Sequence, residues 1–185
     1  DSAAHVILDT RKLENLVLHL CSGPFEIGDM VHGELDWSRR RQLMDHHTAV
    51  HIVGGAARRL LGPHIYQAGA NKSVDSARLD ITHHRRLSRL DLDEIEALSN
   101  ETIQQVQRTE KITLDRRDAD RKYGFDLYQG GAPKGSNIRI LRIAEHDTQA
   151  CGGTHHDEPG RIGQIRIIRS NAVQDGVERL HIVAG

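Results

Sequence analysis

Four side chains able to bind a metal ion lie in two short segments. His47 and His51 stand four residues apart in His47-Thr48-Ala49-Val50-His51, and Cys151 and His155 have the same spacing in Cys151-Gly152-Gly153-Thr154-His155. Residues spaced i, i+4 share one face of a helix, so the first two imidazoles can reach a single ion. Two or three imidazole nitrogens with one thiolate make a tetrahedral donor set of the kind that favours zinc, and one ion is expected. His156 is an alternative donor to its neighbour His155. The two glycines remove side chains beside a ligand and let backbone amides approach a bound group; a tight turn around a buried cysteine has the same composition. Neither segment decides alone, because 13 histidines are spread over 185 residues, with adjacent pairs at His46-His47, His83-His84 and His155-His156.

Other chemistries fit less well. A zinc-protease helix needs Glu directly after the first His, and here Thr48 stands there. The two pairs lie about a hundred residues apart, too far for a zinc finger. The run Gln129-Gly130-Gly131-Ala132-Pro133-Lys134-Gly135 has the wrong spacing for a phosphate-binding loop, and no Ser or Thr follows Lys134. It reads as a surface loop suited to a nucleic-acid backbone.

The elements that must position these groups can be read from periodicity and breakers. Apolar or alternating runs at residues 5–9, 15–20 and 30–36 predict three short strands, read as part of a small β-barrel. Residues 39–61 predict a helix, capped by Asp36 or Ser38 and ended by Gly62-Pro63. Gly54 and Gly55 inside it imply close packing against another element. Strands are expected at residues 64–69 and 77–82. A second helix over residues 92–109 has an acidic start at Asp91 and Glu94 resembling a capping box, and a short third helix spans 116–123. Strands at 138–143, 162–168 and 177–183 complete an α+β pattern: a partial small β-barrel over residues 1–37, then an antiparallel sheet with packed helices over 38–185.

The net charge is −1 with His neutral, and apolar residues make up 37% of the chain. This is a globular composition, large enough for a core without disulfide staples. Two cysteines and no secretory signal point to the cytoplasm. No apolar run approaches the roughly 20 residues of a membrane helix, so no membrane partner is expected. The first residue is Asp rather than Met, as in a domain cut from a larger chain.

The two metal-type segments together resemble the editing domain of alanyl-tRNA synthetase and its free-standing relatives, the AlaX proteins. The similarity extends in order through Asp36-Trp37 with Arg40-Arg41, Gln67-Ala68-Gly69, Ala77-Arg78-Leu79-Asp80 and Gln174-Asp175-Gly176-Val177-Glu178-Arg179. Lys122-Tyr123-Gly124 with Tyr128-Gln129-Gly130-Gly131 resembles the archaeal type. The resemblance implies the second-additional-domain fold of threonyl- and alanyl-tRNA synthetases. It also implies hydrolysis of the ester in tRNA(Ala) mischarged with serine or glycine, a second sieve behind a synthetic pocket that cannot exclude them. The zinc ligands would be His47, His51, Cys151 and His155, the last preferred to His156 from its motif position. The ion would activate water, polarise the ester or hold the substrate amino group. Gly152 and Gly153 would offer amides to the developing oxyanion, and Gln67 would line the pocket or, as a hairpin residue, face solvent. Val50 stands where some relatives carry Thr, which leaves the serine-reading group open. Arg41, Arg58, Arg59, Lys72, Arg78 and Lys134 are candidate contacts to the tRNA acceptor end, with a solvated surface as the alternative role. The remaining partner is the rest of a synthetase chain. A free-standing AlaX-type deacylase and a zinc-stabilised tRNA-binding module without activity are the competing readings.

Overall fold

A computed structural model describes residues 4–13, 16–106 and 108–185. The chain divides into two compact units, Asp1–Leu35 and Asp36–Gly185. In the first, β1 (Ile7–Leu13) pairs antiparallel with β2 (Leu16–Cys21). Every β1 residue is exposed, as is all of β2 but Cys21. The expected third strand at residues 30–36 does not form. Gly28, with φ of 100°, turns the chain before it, and among the described residues no strand pairs with the segment to satisfy its amides. Among the described residues the unit is a hairpin, with no closed barrel.

The second unit is built around α1 (Trp37–Leu61), which Asp36 caps by accepting from the Arg39 amide at 3.0 Å. Gly62, at φ 118°, ends it. From Asp45 to Ala57 every α1 residue except His47 is buried, so this is a central helix and not a surface one. Its small residues permit that position. A Cβ on Gly55 would lie 2.8 Å from the His146 carbonyl oxygen, whereas one on Gly54 would make only an ordinary contact with Leu79.

One face of α1 lies on an antiparallel sheet of β3 (Gln67–Lys72), β4 (Ala77–Thr82), β9 (Val177–Ala184) and β8 (Ile165–Gln174), in the order β3-β4-β9-β8. α2 (Arg89–Gln105) packs beside it. Ala49, Val53 and Ala56 of α1 join Leu79, Ile95 and Leu180 in the main core. A second sheet, β5-β6-β7, comprises β5 (Glu110–Asp115), β6 (Asn137–Ile143) and β7 (Asp147–Ala150). β6 sends Leu141 and Ile143 into the main core and Ile138 and Ile140 into a smaller one with Ala119 of α3 (Arg116–Tyr123). The architecture is α+β, as the sequence indicates. β5 and β7 were not expected, and residue 162 belongs to a 3-10 turn, Pro159–Ile162, ahead of β8.

The start of α2 also differs. Ser88, not Asp91, is the N-cap, and Asp91 at N3 completes the capping box. Arg85, together with the Ser88 hydroxyl and amide, holds the Asp91 carboxyl well below the usual carboxylate range against the opposing effect of burial. Loss of an N-cap side chain costs about 1 kcal/mol. Ser88→Ala is therefore expected to lower the urea-unfolding free energy by about that amount. Because the Asp91 carboxyl is depressed on folding, its contribution is complete above the unfolded value of 3.8 and disappears as pH falls through the folded value. The gap between wild type and Asp91→Asn should accordingly close in acid.

Candidate metal centre

α1 presents His47 and His51 on one face, and the loop after β7 brings Cys151 and His155 to it. One donor atom from each of the four lies within 4.8 Å of the others. Cys151 Sγ is 3.5 Å from His47 Nε2 and 3.1 Å from His155 Nε2. The rings of His47 and His155 are 4.1 Å apart between centroids, and those of His51 and His155 4.9 Å.

The neighbours fix which nitrogen faces inward. His51 Nδ1 donates to Asp147 Oδ2 at 3.1 Å, leaving Nε2 for the cluster. The Asp147 side chain is fully buried, and its other oxygen accepts from Gln149 Nε2 at 2.9 Å and sits 3.7 Å from the Arg58 guanidinium. Thr48 Oγ1 lies 3.3 Å from His155 Nδ1, turning Nε2 of that ring toward the sulfur. Such partners orient a metal-binding imidazole and raise its basicity. His156 is directed elsewhere, its Nε2 bonded to buried Asp45 at 2.6 Å. The structure thus brings together the four residues read from sequence and leaves the alternative donor outside.

Electrostatically the cluster is primed around a thiolate. Burial pushes the Cys151 thiol up, but His155, His47 and His51 outweigh it and bring it down to about 2. Burial pushes His51 down, yet Asp147 and Cys151 raise it to about 9. Burial lowers His155 to about 4 and also lowers His47, each against the pull of Cys151.

The two glycines have different jobs. A Cβ on Gly153 would collide with the His47 ring, while Gly152 has open space around its Cα. The Gly153 amide points at Cys151 Sγ, 3.5 Å away. It therefore serves the thiolate, and the Gly152 side of the loop is the accessible one. Arg139 braces the loop by donating to the carbonyls of Cys151 and Gly153.

The remaining candidates differ in their surroundings. The Gln67 amide donates to the Gln129 side chain at 2.9 Å, and the Gln67 side chain packs on Gly130, whose φ is 74°. Gln129 is buried, so the glycine-rich run is anchored at its start and exposed from Gly130 to Gly135. Arg41, Arg59 and Lys134 are exposed, and Arg78 is half-buried on β4. Arg58 turns inward to Asp147 and to the Ile65 carbonyl at 3.0 Å. Lys72 is half-buried; burial lowers it, partly offset by the Cys151 charge. Val50 is buried in the core at 2% exposure. Sequence reasoning missed Asp147, Thr48 and Arg139; no periodicity marks them.

Residues 138–181, which include Cys151 and His155, match the family model for the threonyl and alanyl tRNA synthetase second additional domain. The chain is 48% identical to an alanine–tRNA ligase of Haloquadratum walsbyi, over 97% of this chain and 19% of that protein. It is 47% identical to that of Pyrococcus furiosus and 48% identical to that of Methanopyrus kandleri, in each case over 97% of this chain and 20% of the relative. The chain is related to archaeal alanine–tRNA ligases. It spans about one-fifth of their length and corresponds to a part that contains the second additional domain. The matched segment holds only half of the four-residue cluster; His47 and His51 come from α1, outside it.

Substitutions separate the roles. Asp147→Asn keeps an acceptor for His51 but removes the charge, and Zn2+ affinity should fall about 10- to 100-fold. Gly153→Ala should lower affinity too, because the ring of His47 must move. Gly152→Ala should leave it near wild type. Competition with a chromophoric chelator measures all three, and equal effects at the two glycines would contradict this division.

Proposed function

We propose that this chain is the editing region of an alanyl-tRNA synthetase and hydrolyses the ester of tRNA(Ala) mischarged with serine or glycine. The observation that carries the reading is the convergence of one thiolate and three imidazoles within 4.8 Å, in a chain related along nearly its whole length to alanine–tRNA ligases. The donor set fits a tetrahedral zinc ion, with His47, His51, Cys151 and His155 as its ligands. When bound, zinc would supply Lewis acidity at the ester or an anchor for the substrate amino group.

The protein's own groups do the rest. Asp147 holds the His51 imidazole in one tautomer, and Thr48 orients the ring of His155. The open space at Gly152 admits the ester, and the Gly152 amide is the donor proposed for the developing oxyanion. Gly153 acts by making room for His47. Gln67 and the buried Gln129 form a wall proposed to confine the amino acid. The Thr48 hydroxyl is engaged with His155 and with the His156 amide at 3.3 Å, so the serine hydroxyl is read by another group. Arg41, Arg59 and Lys134 are the exposed cations proposed to meet acceptor-end phosphates, with the half-buried Arg78 and Lys72 as further candidates; Arg58 supports Asp147. Residues 1–37 are proposed to belong to a small barrel completed by other parts of a synthetase. In support, Leu8, Leu16, Val17 and Leu20 of the hairpin are exposed. A cytoplasmic location follows from this reading.

Deacylation assays test it. Ser-tRNA(Ala) should be hydrolysed faster than Ala-tRNA(Ala). One added hydrogen bond is worth about 0.5–1.5 kcal/mol, or roughly two- to tenfold. Greater selectivity requires ordered positioning of the ester. Cys151→Ala should lose most of the activity. A zinc-loaded chain that binds tRNA and leaves Ser-tRNA(Ala) intact would instead be a binding module.

A further inference from the structure

A second group of imidazoles lies at the other end of α1. The rise per residue puts His51 and Leu61 roughly 15 Å apart along the helix. Past the helix end, His64 meets His83 and His84, which follow β4, and one nitrogen from each lies within 4.8 Å of the others. His64 Nε2 is 2.8 Å from His83 Nδ1. His84 closes the group, with its ring centroid 4.7 Å from that of His83 and 5.4 Å from that of His64.

The backbone holds these rings in place. Thr82 joins the two segments: its hydroxyl donates to the His64 carbonyl at 2.5 Å and accepts from the Tyr66 amide at 2.8 Å, and its amide donates to the Tyr66 carbonyl at 2.9 Å. The His83 amide donates to the Gly176 carbonyl at 2.9 Å. His83 itself is buried, yet its Nε2 has no hydrogen-bond partner among the described residues. Arg85 is the nearby cation, and its charge is met by a two-pronged pair with Asp91 at 2.7 and 2.9 Å.

We propose that His64, His83 and His84 form a second site, independent of the cysteine-containing centre, that binds a divalent transition-metal ion through three imidazoles. Imidazole donors suit zinc, copper or nickel, and three protein ligands leave a coordination position open to solvent. Around a tetrahedral ion, nitrogens at about 2.0–2.1 Å from the metal stand about 3.3 Å apart. The 2.8 Å pair therefore has to open by only about half an ångström to accept one.

Cobalt(II) titration of the metal-free chain separates the two sites, because only the first contains a thiolate. The expected result is two equivalents bound. One carries a thiolate-to-cobalt absorption band that Cys151→Ala abolishes. The other lacks the band, survives in Cys151→Ala, and is lost in His64→Ala and in His84→Ala. Both of those positions are exposed, which makes the substitutions compatible with folding; circular dichroism checks this. Binding of a single equivalent by the wild type, or a band-free equivalent that persists in folded His64→Ala and His84→Ala, would overturn the proposal. Neither result touches the first centre, whose band is read separately.

Discussion

A half-buried sulfur among three imidazoles is the interaction on which the arrangement of the second unit depends. Burial opposes a thiolate, and isolated burial of three imidazoles opposes their protonation. The cluster offsets both: the imidazoles lower the Cys151 thiol, and Asp147 and Cys151 raise His51. The contact joins Cys151 to His47, 104 positions away in sequence. Helix α1 and the loop after β7 must therefore be held at fixed separation before any ion can bind. The small residues of α1, the Gly55–His146 contact and the Arg139 brace on the loop all serve that separation.

Polar burial accompanies this at every step. Asp45 holds His156 away from the cluster, His46 Nδ1 bonds the Ser73 carbonyl at 2.8 Å, and His146 Nε2 bonds the Ile52 carbonyl at 2.7 Å. His46, His146 and His156 thus serve this histidine-rich chain as ordinary satisfied core groups, while His51, His83 and His155 are the buried imidazoles that cluster with other possible ligands. The distinction rests on hydrogen-bond partners, not on residue type. His46 and His146 face carbonyls and His156 a carboxylate, whereas the proposed ligands face one another or a thiolate.

Much of this was legible in the sequence, for reasons that differ by element. α1 announced itself through Asp36, Gly62-Pro63 and its apolar repeat, and the i, i+4 histidines followed from helix geometry. Strands β4, β6 and β9 carry the apolar runs of buried strands. β7 escaped because its sequence is Asp147-Thr148-Gln149-Ala150, with Asp147 and Gln149 as its buried positions. A strand whose inner face is polar gives no hydrophobic signal, and this one supplies the carboxylate that orients His51. The run at residues 30–36 erred in the opposite direction. It has strand-like composition, but a strand forms only beside a partner. Ser88 was overlooked as a cap because the acidic residues after it drew the reading three positions downstream.

The ligand set itself is the central claim, and X-ray absorption spectroscopy at the zinc edge tests it most directly. The chain is loaded with less than one equivalent of Zn2+. The expected first shell is one sulfur at about 2.3 Å and three nitrogens at about 2.0–2.1 Å, with the sulfur lost in Cys151→Ala. A wild-type shell containing only nitrogen and oxygen, or more than one sulfur, would contradict it.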